Sequence, residues 1–289
     1  MHSSPQHLHT STKKRPWHRC SLLWGLLSLS SGSIAPAQAQ EASQATAMVA
    51  PPAASADATP GSSSQRVAAV ALAQIMAHND HFVRQHDARY FAPFSSAQHP
   101  RVTVVACADS RFHMADISGN PDGDVFVVRN IGNQIDSSQG SVEYAMRHLR
   151  TPLLLILGHV GCGAIHAAMS DYSGESPALR RELDGLLLAL RRSPATGNTE
   201  ARWRQHILSN IHQQVRYAVA EYRGEIDRGQ VVVVGAIYDF RGELGAGHGR
   251  MHILNINGDS EPSRLHQNPI WREVQRAMPS GVALPTTLR

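Results

Sequence analysis

The sequence predicts an α/β fold: a Rossmann-like central sheet, mostly parallel with one antiparallel edge strand, flanked by helices and preceded by an N-terminal helical arm. Three observations carry that reading. Four short apolar, β-branched runs, at 102–106, 125–128, 153–157 and 231–237, lack the polar alternation of half-exposed strands, so they suit strands covered on both faces. Helical stretches at 138–149, 162–169, 177–192 and 201–223 intervene, as crossovers between parallel strands require. A fifth run, 250–256, follows the Gly-rich turn 242–249 so closely that it reads as a hairpin partner, hence antiparallel.

From the N-terminus, Lys13 to Arg19 form a basic stretch, 22–34 an apolar stretch, and Ala37-Gln38-Ala39 a small-residue ending. These are the parts of a secretory signal peptide over 1–39, cleaved near Ala39, which implies a periplasmic protein. A membrane anchor fits less well, because the apolar stretch is short and broken by Ser and Gly. Residues 40–64 are almost wholly Ala, Ser, Pro, Gln, Thr and Gly, the composition of a disordered linker. The catalytic domain is expected over 65–260. Its first helix, 66–86, repeats Val67, Val70, Leu72, Ile75, Met76, Phe82 and Val83 near helical spacing, and its apolar face suits pairing with a partner subunit. The stretch 261–289 reads as a Pro-rich C-terminal tail without a functional signal.

Composition excludes some functions. No apolar run after the first forty residues of the 289 is long enough to cross a bilayer, so no membrane insertion is expected once the leader is removed. The net charge of +4 comes from Lys13, Lys14, Arg15 and Arg19, leaving 23 Arg against 23 acidic residues. A formally neutral mature chain offers no basic stripe for nucleic acid.

The chemistry gathers at two strand ends. The run 102–106 leads into Cys107-Ala108-Asp109-Ser110-Arg111, and 153–157 leads into Gly158-His159-Val160-Gly161-Cys162-Gly163. The carboxyl ends of parallel strands share one edge, where such folds bind ligands, so Cys107, His159 and Cys162 can converge. Two thiolates and an imidazole suit zinc and leave one tetrahedral position open. Cys162 begins a helix, where free N–H groups favour a thiolate. Other readings remain at this stage: a disulfide between the two cysteines of the mature chain, a structural zinc site closed by Asp109, or an ordinary surface ion pair of Asp109 with Arg111. His113 and His166, near these motifs, are candidate proton relays.

The joint pattern Cys-x-Asp-Ser-Arg, then Arg129-Asn130-Ile131-Gly132-Asn133, then His-x-x-Cys-Gly resembles the β-class carbonic anhydrases, over about 66–257. The resemblance implies one zinc ion per chain on Cys107, His159 and Cys162, and a dyad of Asp109 and Arg111 in which Arg111 keeps Asp109 from ligating the metal. It implies a hydro-lyase in which zinc-bound hydroxide converts carbon dioxide to bicarbonate. The pocket would be walled by Phe126, Ile131 and Tyr144, with the backbone N–H of Gly163 as a donor and Gln98 reaching in from a neighbouring subunit. Self-association as a dimer or tetramer follows from that sharing. Val104, three residues before Cys107, stands where bicarbonate-inhibited members carry Trp, so an open resting site with Asp109 paired to Arg111 is expected. Rival readings are a carbon disulfide or carbonyl sulfide hydrolase on the same scaffold and a non-catalytic zinc or bicarbonate binder.

Overall fold

A computed structural model of the chain describes residues 63–193 and 195–279. The expected leader, nearly all of the expected linker and the last ten residues of the expected tail lie outside the described residues. In order, the elements are α1 (Ser63–Gln85), α2 (Ala88–Phe91), β1 (Val102–Cys107), α3 (Ala115–Ser118), β2 (Val125–Asn130), α4 (Gln139–Glu143), β3 (Leu153–His159) and α5 (Gly163–Ala168). Then come α6 (Pro177–Asp184), α7 (Leu187–Arg191), α8 (Thr199–Glu221), α9 (Arg223–Asp227), β4 (Val232–Asp239), β5 (Arg250–Ile256), α10 (Pro262–Gln267) and α11 (Pro269–Ala277). Residues 63–70 are the first turns of α1, and a second compact unit begins at Ala71.

The five strands form one sheet in the order β2-β1-β3-β4-β5. The first three pairings are parallel and β4 with β5 is antiparallel, as the hairpin reading required. Because side chains alternate along a strand, β1, β3 and β4 feed two apolar layers. Val105, Leu154, Ile156, Val233 and Ile237 face one layer with Ile207, Ile211 and Val215 of α8. Val104, Ala106, Leu155, Leu157 and Ala236 face the other, with Leu265 of α10 and Trp271 of α11. Burial on both faces is why these strands read as unbroken apolar runs. Helix α8 lies close to the sheet at Gly158 and Gly235, where an added Cβ would come within 2.6 Å of Ile211 and 2.8 Å of Val215.

Three elements depart from the sequence expectation. The single helix expected over 177–192 is two, α6 and α7. Gln134 explains the break: its Nε2 donates to the Glu182 carbonyl at 2.9 Å, and the Leu186 N–H turns instead to Leu183. The stretch expected as one helix over 138–149 continues beyond α4 as a wider π-helical turn, Tyr144–Leu149, closed by Arg150 at φ 56°. Pro152 follows, and the residue before a proline disfavours helix, so β3 can begin at once. The stretch 261–289, read as a tail, carries α10 and α11, and its Leu265 and Trp271 are 2% and 3% exposed in the second apolar layer. Polar spacing and prolines hid this: Pro262 and Pro269 start helices rather than forbid them.

Helix α1 forms where its periodicity predicted it, yet none of its residues is buried. Leu72, Ile75 and Met76 are 59%, 65% and 64% exposed. Among the described residues, no helix is long and apolar enough to cross a membrane.

Candidate metal centre

Cys107 is the last residue of β1 and His159 the last of β3, adjacent parallel strands, so their ends meet at one edge of the sheet. Three residues after His159 the chain turns through Gly161, at φ 64°, and delivers Cys162 to the N-cap of α5. Cys107, His159 and Cys162 are all buried, and their ligand atoms lie within 4.8 Å of one another.

The donors fit zinc. Both cysteines are free, with sulfurs 3.9 Å apart, which sets aside the disulfide reading. Tetrahedral ligation with Zn–S bonds of about 2.3 Å separates two sulfurs by about 3.8 Å. The Nδ1 of His159 lies 2.9 Å from the Val160 carbonyl. A carbonyl only accepts, so Nδ1 carries the proton and Nε2 keeps its lone pair. That Nε2 is buried and has no hydrogen-bond partner among the described residues, a position a metal ion satisfies.

The paired thiols differ. Either thiol could donate to the other; with the proton on Cys162, that hydrogen bond and the Gly132 N–H, 3.5 Å from the Cys107 sulfur, pull Cys107 down to about 5 despite burial. Cys162 is pushed up by its hydrogen bond to Cys107 and by burial. The N–H groups of Ala164 and Ile165 act in the direction expected of a helix start, but the neighbouring thiol and burial outweigh them. A divalent cation between the sulfurs removes the competition for one proton and favours both thiolates.

Beside the ligands, Arg111 grips Asp109 with three N–H groups. Its backbone N–H and Nε each donate to Oδ1 at 2.9 Å, and Nη2 donates to Oδ2 at 2.6 Å. This hydrogen bonding holds the Asp109 carboxyl down at about 2, against partial burial. Asp109 is only 14% exposed, unlike a typical surface pair. Its Oδ2 lies 3.5 Å from His159 Nε2. Because Oδ1 accepts two of these bonds and Oδ2 one, the oxygen nearer the ligand nitrogen keeps an acceptor direction free. Arg111 Nη2 also donates to the Gly161 carbonyl at 3.0 Å, tying the dyad to the loop that carries Cys162.

The other expected site residues are spread more widely. Phe126 in β2 is half-buried beside Thr103, and its ring lies 6.1 Å from that of Tyr144, itself 46% exposed. Ile131 follows β2 directly and precedes Gly132, whose N–H reaches Cys107. Gly163 opens α5 and faces open space. Gln98 is exposed, and no hydrogen bond among the described residues joins it to the centre.

Four contributors escaped the sequence reading. Phe112 is fully buried with its ring 5.4 Å from His159, and Phe240 stacks on His159 at 6.1 Å while the Arg111 guanidinium covers it at 4.7 Å. Trp203 and Arg241 contact the 159–163 loop at Cys162 and Gly161. Phe240 and Arg241 had a signal: they follow β4 at the same carboxyl edge that marked the other two motifs. Trp203, inside a helix 41 residues after Cys162, had none.

Comparison with known proteins agrees with this geometry. The carbonic anhydrase family model matches residues 102–244. A carbonic anhydrase of Mycolicibacterium smegmatis is 32% identical over 176 residues, which cover 57% of this chain and 82% of that protein. Among solved structures, tetrameric β-carbonic anhydrases of Sordaria macrospora give a TM-score of 0.56 at 24% identity, over 66% of this chain and 98% of theirs. A β-carbonic anhydrase of Aspergillus fumigatus gives 0.53 at 27% identity, over 69% and 94%. The chain belongs to the β-class carbonic anhydrase family and is an enzyme of that kind.

Proposed function

We propose that this chain catalyses the reversible hydration of carbon dioxide to bicarbonate and a proton, with one zinc ion held by Cys107, His159 and Cys162. The observation that carries the reading is the buried Cys-His-Cys cluster with the arginine-gripped carboxylate of Asp109 at its side. When bound, zinc supplies the Lewis acidity that brings the pKa of water from about 15.7 to near 7.

The chain's own residues do the rest. Asp109 is ionised at any working pH, and its free acceptor direction on Oδ2 holds the hydrogen of the attacking oxygen, leaving a lone pair for the carbon of carbon dioxide. Arg111 saturates the other acceptor directions, so the carboxylate stays off the metal and the resting site stays open. The buried, apolar Val104 at the position noted above supports the same reading. Phe126, Ile131 and Tyr144 give carbon dioxide an apolar wall, and the Gly163 N–H donates to an oxygen of bicarbonate.

The active form is a dimer or a larger assembly, in which Gln98 serves a neighbour's pocket. The exposed apolar face of α1 supports self-association, since large unpartnered apolar surface is uncommon on monomers. Export to the periplasm and removal of 1–39 complete the proposal. Metal analysis with a stopped-flow hydration assay tests it: one zinc per chain and activity abolished by a chelator are expected. Zinc-loaded protein without hydration activity would make the chain a binder only.

A further inference from the structure

We propose that Trp203 and Arg241 form a positioning clamp that sets how long the centre retains its metal. The inference rests on the zinc reading above and extends it to two residues that touch no ligand atom. Trp203, half-buried on α8, donates from Nε1 to the Cys162 carbonyl at 2.8 Å. Arg241 follows β4, and its guanidinium is packed on Gly161 so closely that a Cβ there would lie 2.8 Å from Nη1. The two side chains support each other, with the Arg241 guanidinium 5.9 Å from the centroid of the Trp203 ring.

Arg241 is itself held. Nε meets Glu243 at 2.5 Å and Nη2 lies 3.6 Å from Glu200 in the first turn of α8. Asp239 accepts the backbone N–H groups of Arg241 and Leu244, fixing the turn that presents the guanidinium. Arg111 also holds the Gly161 carbonyl, from the dyad. The Gly161-Cys162 link therefore has restraint from α8 and β4 in addition to that from β3 and the dyad. Cys162 is the ligand whose backbone leaves the sheet, so its sulfur depends most on such restraint. Partners that orient metal ligands typically contribute a factor of about 10 to 100 in metal affinity.

The test measures zinc release from the full-length, zinc-loaded protein into a colorimetric chelator. Trp203→Phe keeps a ring but loses the donor, and Arg241→Gln loses the forked charge. Each is expected to release zinc about tenfold faster or more, and the double variant by less than the product of the two, since the side chains act as one unit. Arg241→Lys should fall between. Trp271→Phe is the control: its ring is buried in the layer lined by Val104 and Leu157, on the opposite face from Cys107 and Cys162. It should lower the melting temperature and leave zinc release at the wild-type rate. Wild-type release from both Trp203→Phe and Arg241→Gln overturns the clamp, as does equal acceleration by Trp271→Phe, which would mark a general loss of stability. A wild-type protein that holds no zinc overturns the zinc reading itself.

Discussion

The carboxyl edge of the sheet and the helical arm before it are built in opposite ways. At the edge, Asp109 and the loop around Cys162 have partners within the chain, down to Arg111 Nη2, which serves Asp109 and Gly161 together. Along α1 the apolar residues Leu72, Ile75, Met76 and Val83 stand exposed, and Gln98 beyond it is exposed as well. One region is closed by contacts within the chain, and the other presents apolar surface that the described residues leave uncovered. On the function proposed above, metal binding would belong to one chain and full turnover to an assembly.

The sharpest way to break that division is at the ligands. Cys107→Ser or Cys162→Ser replaces a thiolate with a poor ligand and should abolish zinc binding and nearly all hydration activity. Metal analysis checks it, and one zinc per chain in both variants would sink the ligand assignment. Next in size is the arm: Ile75→Glu with Met76→Glu should dissociate the assembly and lower activity by at least as much as the loss of Gln98 alone, while each chain keeps its zinc. A fully active monomer at the lowest assay concentration, sized by analytical ultracentrifugation, would contradict this.

Asp109→Asn should keep the metal and lower kcat by at least about tenfold, because it weakens the orienting acceptor without removing a ligand. Unchanged turnover in the zinc-loaded variant would reduce the dyad to an ion pair. Gln98→Ala should cost less, about two- to tenfold in kcat/KM, the scale of one lost hydrogen bond of about 0.5–1.5 kcal/mol. The smallest effect concerns pH. Asp109 has a folded pKa depressed to about 2, so it stays ionised as pH falls from 8 to 5 and contributes no step there. Activity should decline along a single-proton slope on acidification, and a rise in bicarbonate should inhibit without sigmoidal loss. A steep cooperative fall in either titration would point to a closed state in which Asp109 ligates zinc.

Much of this was legible in the sequence for a local reason. Strands β1, β3 and β4 bury both faces, so their apolar runs stand out, and each strand ends within two residues of its last apolar side chain. Cys107 and His159 could be placed on that ground, and Cys162 follows within three residues. Helix α1 was legible through its periodicity even though none of its residues is buried among the described residues.

By itself, then, the sequence determined a mostly parallel sheet with one antiparallel edge and the meeting of Cys107, His159 and Cys162 at one end of it, because each depends on a strand's period or on neighbours within a few residues; the role of Asp109 with Arg111 came from the family resemblance. Tertiary structure alone decided what surrounds them. It split α6 from α7 through Gln134, folded Leu265 and Trp271 into the core, and brought Trp203 and Arg241 onto the Cys162 loop from 41 and 79 residues away. Such contacts depend on how α8 and the turn after β4 settle against the sheet, and no spacing along the chain records that.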